Sequence, residues 1–191
     1  FFRQWVFEPG YPEYEVKWSY NQRNRTVKLN IEQEQDLSKT KLFSMPVDIR
    51  IDDELHTVWV DEKEMTYELP VDVRPKMVIF NAGMRIPCKV TFNKPLSEWI
   101  LQLEKGPHIL DRIAAINVLK NKKGRRNVEN ALLESIESDP FWGVRKEAVQ
   151  GFSRLRSKQH SDKLMKLSEG QDNRVRRAIW RALRNYKKDI D

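Results

Sequence analysis

At Asn93-Lys94-Pro95 the spacing of the apolar residues changes, and this change limits the fold more than any other feature of the chain. Upstream, apolar residues alternate: Val16, Trp18 and Tyr20, then Val27, Leu29 and Ile31, then Val47, Ile49 and Ile51, then Met65, Tyr67 and Leu69. Period two sends successive side chains to opposite faces, the pattern of a half-buried strand. Downstream, Leu96, Trp99, Ile100 and Leu103 recur at helical spacing, with Ser97 near the cap, and nothing after them alternates. One segment cannot serve both periods, so the chain reads as two domains joined near residues 94–96.

The upstream part holds about seven strand-like runs. Asn21-Gln22-Arg23-Asn24 separates the first two as a hairpin turn, and runs over 45–51, 55–60, 65–69, 77–81 and 89–92 follow. Asp52-Asp53 and Asp61-Glu62-Lys63 read as turns at hairpin-like intervals, and Pro70, Pro75 and Pro87 fall at run ends, where a missing N–H does least harm. Many short strands with no helix between them predict an antiparallel β-sandwich. Trp18 and Tyr20, with Val27 and Leu29, are expected to hold the first hairpin to its core.

The downstream part repeats. Residues 111–119, 144–152 and 175–183 align at offsets of 33 and 31 residues, bringing Arg112, Arg145 and Arg176 into register, and likewise Leu119, Phe152 and Leu183. Asp139-Pro140 and Asp172-Asn173 give two of these helices a cap-like start, and shorter amphipathic helices fall at 128–136 and 162–167. Helix pairs recurring at this period are the signature of an α-solenoid, and the Asp…Val-Arg-x-x-Ala pattern resembles HEAT and armadillo repeats. Trp99, Leu103, Leu119, Phe152, Trp180 and Leu183 are the expected core. The aligned arginines are expected to pair with carboxylates such as Asp139 and Asp172 in a ladder between repeats.

Charge follows the same division. Residues 1–94 carry 14 Lys and Arg against 15 Asp and Glu, a net of −1, and residues 95–191 carry 21 against 13, a net of +8, so the whole of the positive excess lies in the helical part. Apolar runs are only a handful of residues long, too short to span a membrane, and the start lacks the basic-then-apolar pattern of a signal peptide. A single cysteine, Cys88, excludes an internal disulfide and a multi-thiol metal site. It stands beside a strand-like run with no basic cluster or helix start, so it reads as a buried structural thiol, compatible with a cytoplasmic or an exported protein.

Residue types that carry chemistry are sparse. His56, His108 and His160 are each more than fifty residues apart, and none has a second histidine at i+3 or i+4, whereas zinc takes three or four protein ligands. No metal or catalytic residue is therefore expected in this chain. His56 reads as a solvent-facing strand residue, and the other two as surface residues near helix starts. The clusters Asp52-Asp53-Glu54 and Asp61-Glu62 with Glu64 fall at strand ends, where acidic turn residues are ordinary. H-E-x-x-H, G-x-M-E-N, a glycine-rich phosphate loop and G-x-S-x-G are all missing, so the chain by itself does not read as an enzyme.

Three stretches nonetheless carry a resemblance. Trp5…Gly10-Tyr11-Pro12…Val16-x-Trp18, then Phe43-Ser-Met-Pro-Val47, then Asn81…Val90-x-Phe92…Trp99-Ile-Leu-Gln-Leu are similar to gluzincin zinc aminopeptidases of the aminopeptidase N and leukotriene-hydrolase type. The similar region is where the catalytic domain of that family ends and a β-sandwich begins. Where relatives carry Tyr-Arg ahead of the valine, this chain has Cys88-Lys89. The resemblance implies that residues 1–12 are the tail of a preceding catalytic domain, 13–94 a β-sandwich spacer, and 95–191 a truncated HEAT-like helical domain folding back over the catalytic cleft. It places zinc in the missing catalytic domain, and makes that domain and peptide substrates the partners. The positive helical half would then attract peptide C-terminal carboxylates, with Arg177 and Arg181 as the steering residues.

Two alternatives stay open. Lys120, Lys122-Lys123-Gly124-Arg125-Arg126 and Arg174, Arg176-Arg177, Arg181, Arg184 could track a phosphate backbone, although aromatics are not interleaved with them as single-strand binders require. The repeats could also serve as a non-catalytic scaffold for protein contacts.

Overall fold

The computed structural model describes residues 2–155 and 161–187, without the side chains of residues 161 and 185–187. The chain divides into two compact units, Phe1–Glu98 and Trp99–Asp191.

The first unit contains strands β1 (Glu13–Asn21), β2 (Thr26–Gln33), β3 (Met45–Ile51), β4 (Glu54–Val60), β5 (Glu64–Pro70), β6 (Val78–Phe80) and β7 (Lys89–Asn93). They form two sheets, ordered β5-β2-β1-β7 and β4-β3-β6. The alternating residues do what their period demands: Val16, Val27, Leu29, Ile31, Val47, Ile49, Ile51 and Val60 are all buried in one core. Every pairing is antiparallel except that of β1 with β7, which is parallel and sets Val16 against Phe92.

The two acidic turns behave differently. Asp52-Asp53 closes a hairpin that sets Ile51 against Glu54. Asp61-Glu62-Lys63 does not. After it the chain changes sheets, and β5 lies along β2 with Met65, Tyr67 and Leu69 opposite Ile31, Leu29 and Val27. The apolar triplet of β5 matches that of β2, and this cross-strand pairing decides the register.

Val27 and Leu29 anchor the first hairpin as expected, and Trp18 packs half-buried against the core. Tyr20 does not belong to it. Strand β7 pairs with β1 only as far as Lys17, so the end of β1 runs past its neighbour. The aromatic anchor is Tyr14, whose ring lies edge-on to Phe80 at 5.2 Å and whose hydroxyl is 3.9 Å from Met45 Sδ. Beyond Ile31 the inward parity continues into Gln33. Its amide donates to the carbonyls of Phe43 and Glu62 and accepts from the Phe43 N–H and from Gln35. A buried amide held on both sides costs little.

Residues 3–12 are fastened to this unit. Trp5 packs against Phe43 with ring centres 5.3 Å apart and planes tilted by 47°, and Gln4 exchanges two hydrogen bonds with the Ser44 backbone. At the Pro-Gly-Tyr-Pro break, Thr40 Oγ1 donates to the Pro9 carbonyl, and a Cβ on Gly10, whose φ is +95°, would meet that oxygen at 2.7 Å. Only glycine fits there.

The second unit is helical. Helix α1 (Leu96–Lys105) starts in the first unit and ends in the second; α2 (Ile109–Leu119), α3 (Arg126–Ser138), α4 (Trp142–Leu155), α5 (Ser161–Lys166) and α6 (Asn173–Lys187) follow. The helices aligned in sequence, α2, α4 and α6, pack side by side, while α3 packs on α4 and α5 on α6. Gly151 lets α2 approach α4, since a Cβ there would lie 3.0 Å from Ile116 Cγ2. Leu103, Leu119 and Phe152 are buried as expected, but Trp180 is 53% exposed and Leu183 only half-buried. The inward stripe of α6 is Val175, Ile179 and Ala182, at i, i+4 and i+7, so Trp180 sits about 100° around the helix from Ile179. Among the described residues no helix is long and apolar enough to cross a membrane.

Candidate functional site

The repeat geometry first fixes a buried ladder. Arg112 donates from Nε to Asp139 Oδ2 at 2.7 Å, from Nη2 to Oδ1 at 3.1 Å, and from Nη1 to the Gly106 carbonyl at 2.9 Å. Asp139 Oδ1 also accepts the Phe141 N–H, capping the approach to α4. The expected pairing thus forms at the first rung and changes at the next two. Arg145 donates to the backbone carbonyl of Asp139, and Arg176 to the side-chain oxygen of Asn173. Asp172, the other carboxylate expected in the ladder and the equivalent of Asp139 for Arg145, is taken by Arg174, two residues along and on the same cap.

One row outward, α4 and α6 form a groove of about 500 Å³. Lys146 and Arg154 of α4 face Arg174, Arg177 and Arg181 of α6 across a floor of Val149, Ala178 and Ala182. Among the described residues no carboxylate lines it. The two arginines singled out from the sequence, Arg177 and Arg181, therefore line one site. Lys146 occupies the place of Arg177 one repeat earlier, 31 residues upstream, and that equivalence is the sequence signal that could have found it. Trp142 carried no such signal. Its ring receives the Arg174 guanidinium at 3.5 Å, a cation–π contact.

The electrostatics are those of an anion site. Arg174 is neutralised by a bidentate pair with Asp172, both contacts 2.9 Å, and its hydrogen bonds hold the Asp172 carboxyl well below the usual range, with Arg145 adding a smaller effect. Among the described residues, Lys146, Arg154, Arg177 and Arg181 are in no ion pair with a carboxylate. Four cations around a partly apolar trough leave a strong positive potential. Such a site can bind and orient anions.

Other chemistry-bearing residues have structural places. His56 shares the inward parity of Val58 and Val60 and is half-buried, not solvent-facing, with Nε2 3.4 Å from Glu54. His108 is half-buried at the start of α2, and His160 lies outside the described residues. Asp52 accepts the N–H groups of Lys76 and Met77, tying a loop to the β3–β4 turn. Asn81, in the left-handed region, is hydrogen-bonded to the Ile86 backbone and to Cys88 Sγ, and burial pushes the Cys88 thiol up to about 11. Among the described residues one group, Glu15, Glu32 and Glu34, brings carboxylate oxygens within 4.8 Å of one another. Lys17 already sits 2.7 Å from Glu15, and an all-oxygen surface set is a poor fit to zinc.

With this geometry in hand, the likeness to known proteins is specific in one half. Residues 96–184 match the HEAT repeats family. The second unit is HEAT-like. Its aligned helices α2, α4 and α6 form one layer of the HEAT-like array, and the basic groove lies on that layer. Among solved structures, Legionella pneumophila aminopeptidase A in complex with aspartic acid has the same fold over 96% of this chain, with a TM-score of 0.72 at 12% identity. The chain spans 28% of the length of that protein. Among curated proteins no sequence match reaches significance.

Proposed function

We propose that this chain is the non-catalytic, C-terminal part of a zinc metallo-aminopeptidase: a β-sandwich spacer followed by a HEAT-like unit that shapes the access of peptides to the catalytic cleft. The observation that carries the reading is the breadth of the structural likeness. It takes in 96% of this chain, sandwich and HEAT-like repeats together, within one aminopeptidase. HEAT repeats alone would carry no such preference, because that fold serves many unrelated partners. Zinc would be held by a catalytic domain outside these 191 residues, where it would polarise the scissile carbonyl and activate water.

In this reading the groove supplies electrostatics. Arg177 and Arg181 attract the C-terminal carboxylate of a peptide and raise its local concentration, an effect that salt weakens. The coding sequence upstream of Phe1 decides the first point. It is expected to encode G-x-M-E-N and H-E-x-x-H with a later Glu, and the full-length protein to release N-terminal residues from peptides in a chelator-sensitive way. A frame without such a domain would overturn the assignment. For the steering role, R177E/R181E in the full-length enzyme should raise peptide KM and flatten its salt dependence; unchanged values would remove that role.

A further inference from the structure

The α4–α6 groove has a feature that long-range steering does not require, an apolar floor. Val149 and Ala182 lie buried beneath it, so the apolar surface open to a visitor is that of half-buried Ala178 and Trp142 and of the aliphatic stems beside them, while the charged heads of the flanking cations stand outside. We propose that this groove is a docking site for an acidic amphipathic polypeptide segment, whose apolar side chains enter the trough and whose carboxylates meet Lys146, Arg154, Arg177 and Arg181. Helix-in-groove recognition uses this combination, with apolar anchors at the centre and complementary charge at the rim. The inference belongs to α4 and α6 alone and needs nothing from the peptidase reading.

A nucleic acid would match the cations but waste the floor. Sequence-tolerant strand binding needs aromatic faces on which bases stack. Among the described residues the aromatic lining the groove is Trp142, and it carries the Arg174 guanidinium at 3.5 Å on one face. The trough, at about 500 Å³, accommodates a few side chains and not a duplex.

The test is fluorescence anisotropy on the 191-residue chain with three labelled probes: a peptide of repeating Glu-Glu-Leu-Leu, polyglutamate, and single-stranded oligothymidylate. The Glu-Glu-Leu-Leu peptide is expected to bind about tenfold more tightly than polyglutamate, since only it carries apolar anchors. R177E/R181E should weaken it a further tenfold or so. K122E/K123E makes the same charge change in the exposed loop after α2 and should alter affinity less than about twofold. All four positions are exposed, so unchanged circular dichroism is expected, and R177Q/R181Q gives a milder version if the reversal perturbs folding. Equal losses from groove and loop variants would reduce the site to general net charge and overturn the proposal. So would polyglutamate binding as well as the leucine peptide, tighter binding of oligothymidylate, or no peptide binding at all.

Discussion

Lys94 and Glu98 form an ion pair at 3.3 Å with both side chains buried, just where β7 gives way to α1. Glu98 also accepts the Val78 N–H at 2.8 Å and the Trp18 indole N–H at 3.1 Å, while Lys94 donates to the Val78 carbonyl at 2.7 Å and lies 4.9 Å from the Phe92 ring centre. Two charges withdrawn from water cost several kcal/mol each, and only this full set of partners offsets that cost. The first turn of α1 is thereby locked to β6 and β1 of its own unit.

Removing one partner strands the other. Glu98→Leu should destabilise the chain by about 3–5 kcal/mol in urea unfolding, because it leaves a buried ammonium and two unmet donors. The double variant K94M/E98L should recover part of that loss, since a buried apolar pair carries no stranded charge. A single-variant cost below about 1 kcal/mol would mean that the pair is solvated.

The Arg112–Asp139 rung can be measured by a double-mutant cycle. Their side chains are 10% and 4% exposed, so Arg112→Ala should cost about 3 kcal/mol or more. Asp139→Asn should cost less, because an amide oxygen still caps the Phe141 N–H. A positive coupling energy of about 1–3 kcal/mol is expected for neighbours of this kind, and strict additivity would show that the rung contributes nothing.

Much of this was written in period and register. Alternation placed β1, β2, β3 and β5, short apolar runs between turn signals placed the other three strands, and the 33- and 31-residue offsets placed the layer of α2, α4 and α6. Spacing shows which face a residue shares, not which strand comes to lie beside it. The parallel β1–β7 pair and the crossing of β5 to β2 therefore emerge only from tertiary pairing. The basic groove was half legible. Arg177 and Arg181 stood out as charge on one helix, but Lys146 and Arg154 gain meaning only when α4 lies alongside. Asp172 followed proximity over repeat alignment: Arg174 reaches it within its own cap, while Arg145, its partner by the 33-residue offset, donates to the Asp139 carbonyl.

Helix α6 offers a sharp contrast between adjacent positions. Ile179 is fully buried and Trp180 is 53% exposed. Ile179→Ala should cost about 2–5 kcal/mol through the cavity it leaves. Trp180→Ala, the larger truncation, should stay within about 0.5 kcal/mol. Thermal melts of the two variants check this directly, and a larger loss for Trp180 would put that ring against a core.

Cys88 gives a pH signature with a definite sign. Burial raises its thiol from an ordinary value of 9.0 to about 11, against a smaller downward pull from the Asn81 amide. Below pH 9 the thiol is protonated in both folded and unfolded chains and its contribution to stability is fully present. Between pH 9 and 11 the unfolded chain loses the proton first, so stability falls as pH rises, by on the order of 2 kcal/mol in all. Cys88→Ala should remove that slope and leave the remaining high-pH titration in place, so the difference between the two urea-unfolding profiles isolates the thiol. The same burial should make Cys88 react with a thiol reagent at pH 8 far more slowly in the folded chain than in urea. Reaction at the rate of a free thiol, with no difference between the two pH profiles, would place Cys88 in solvent.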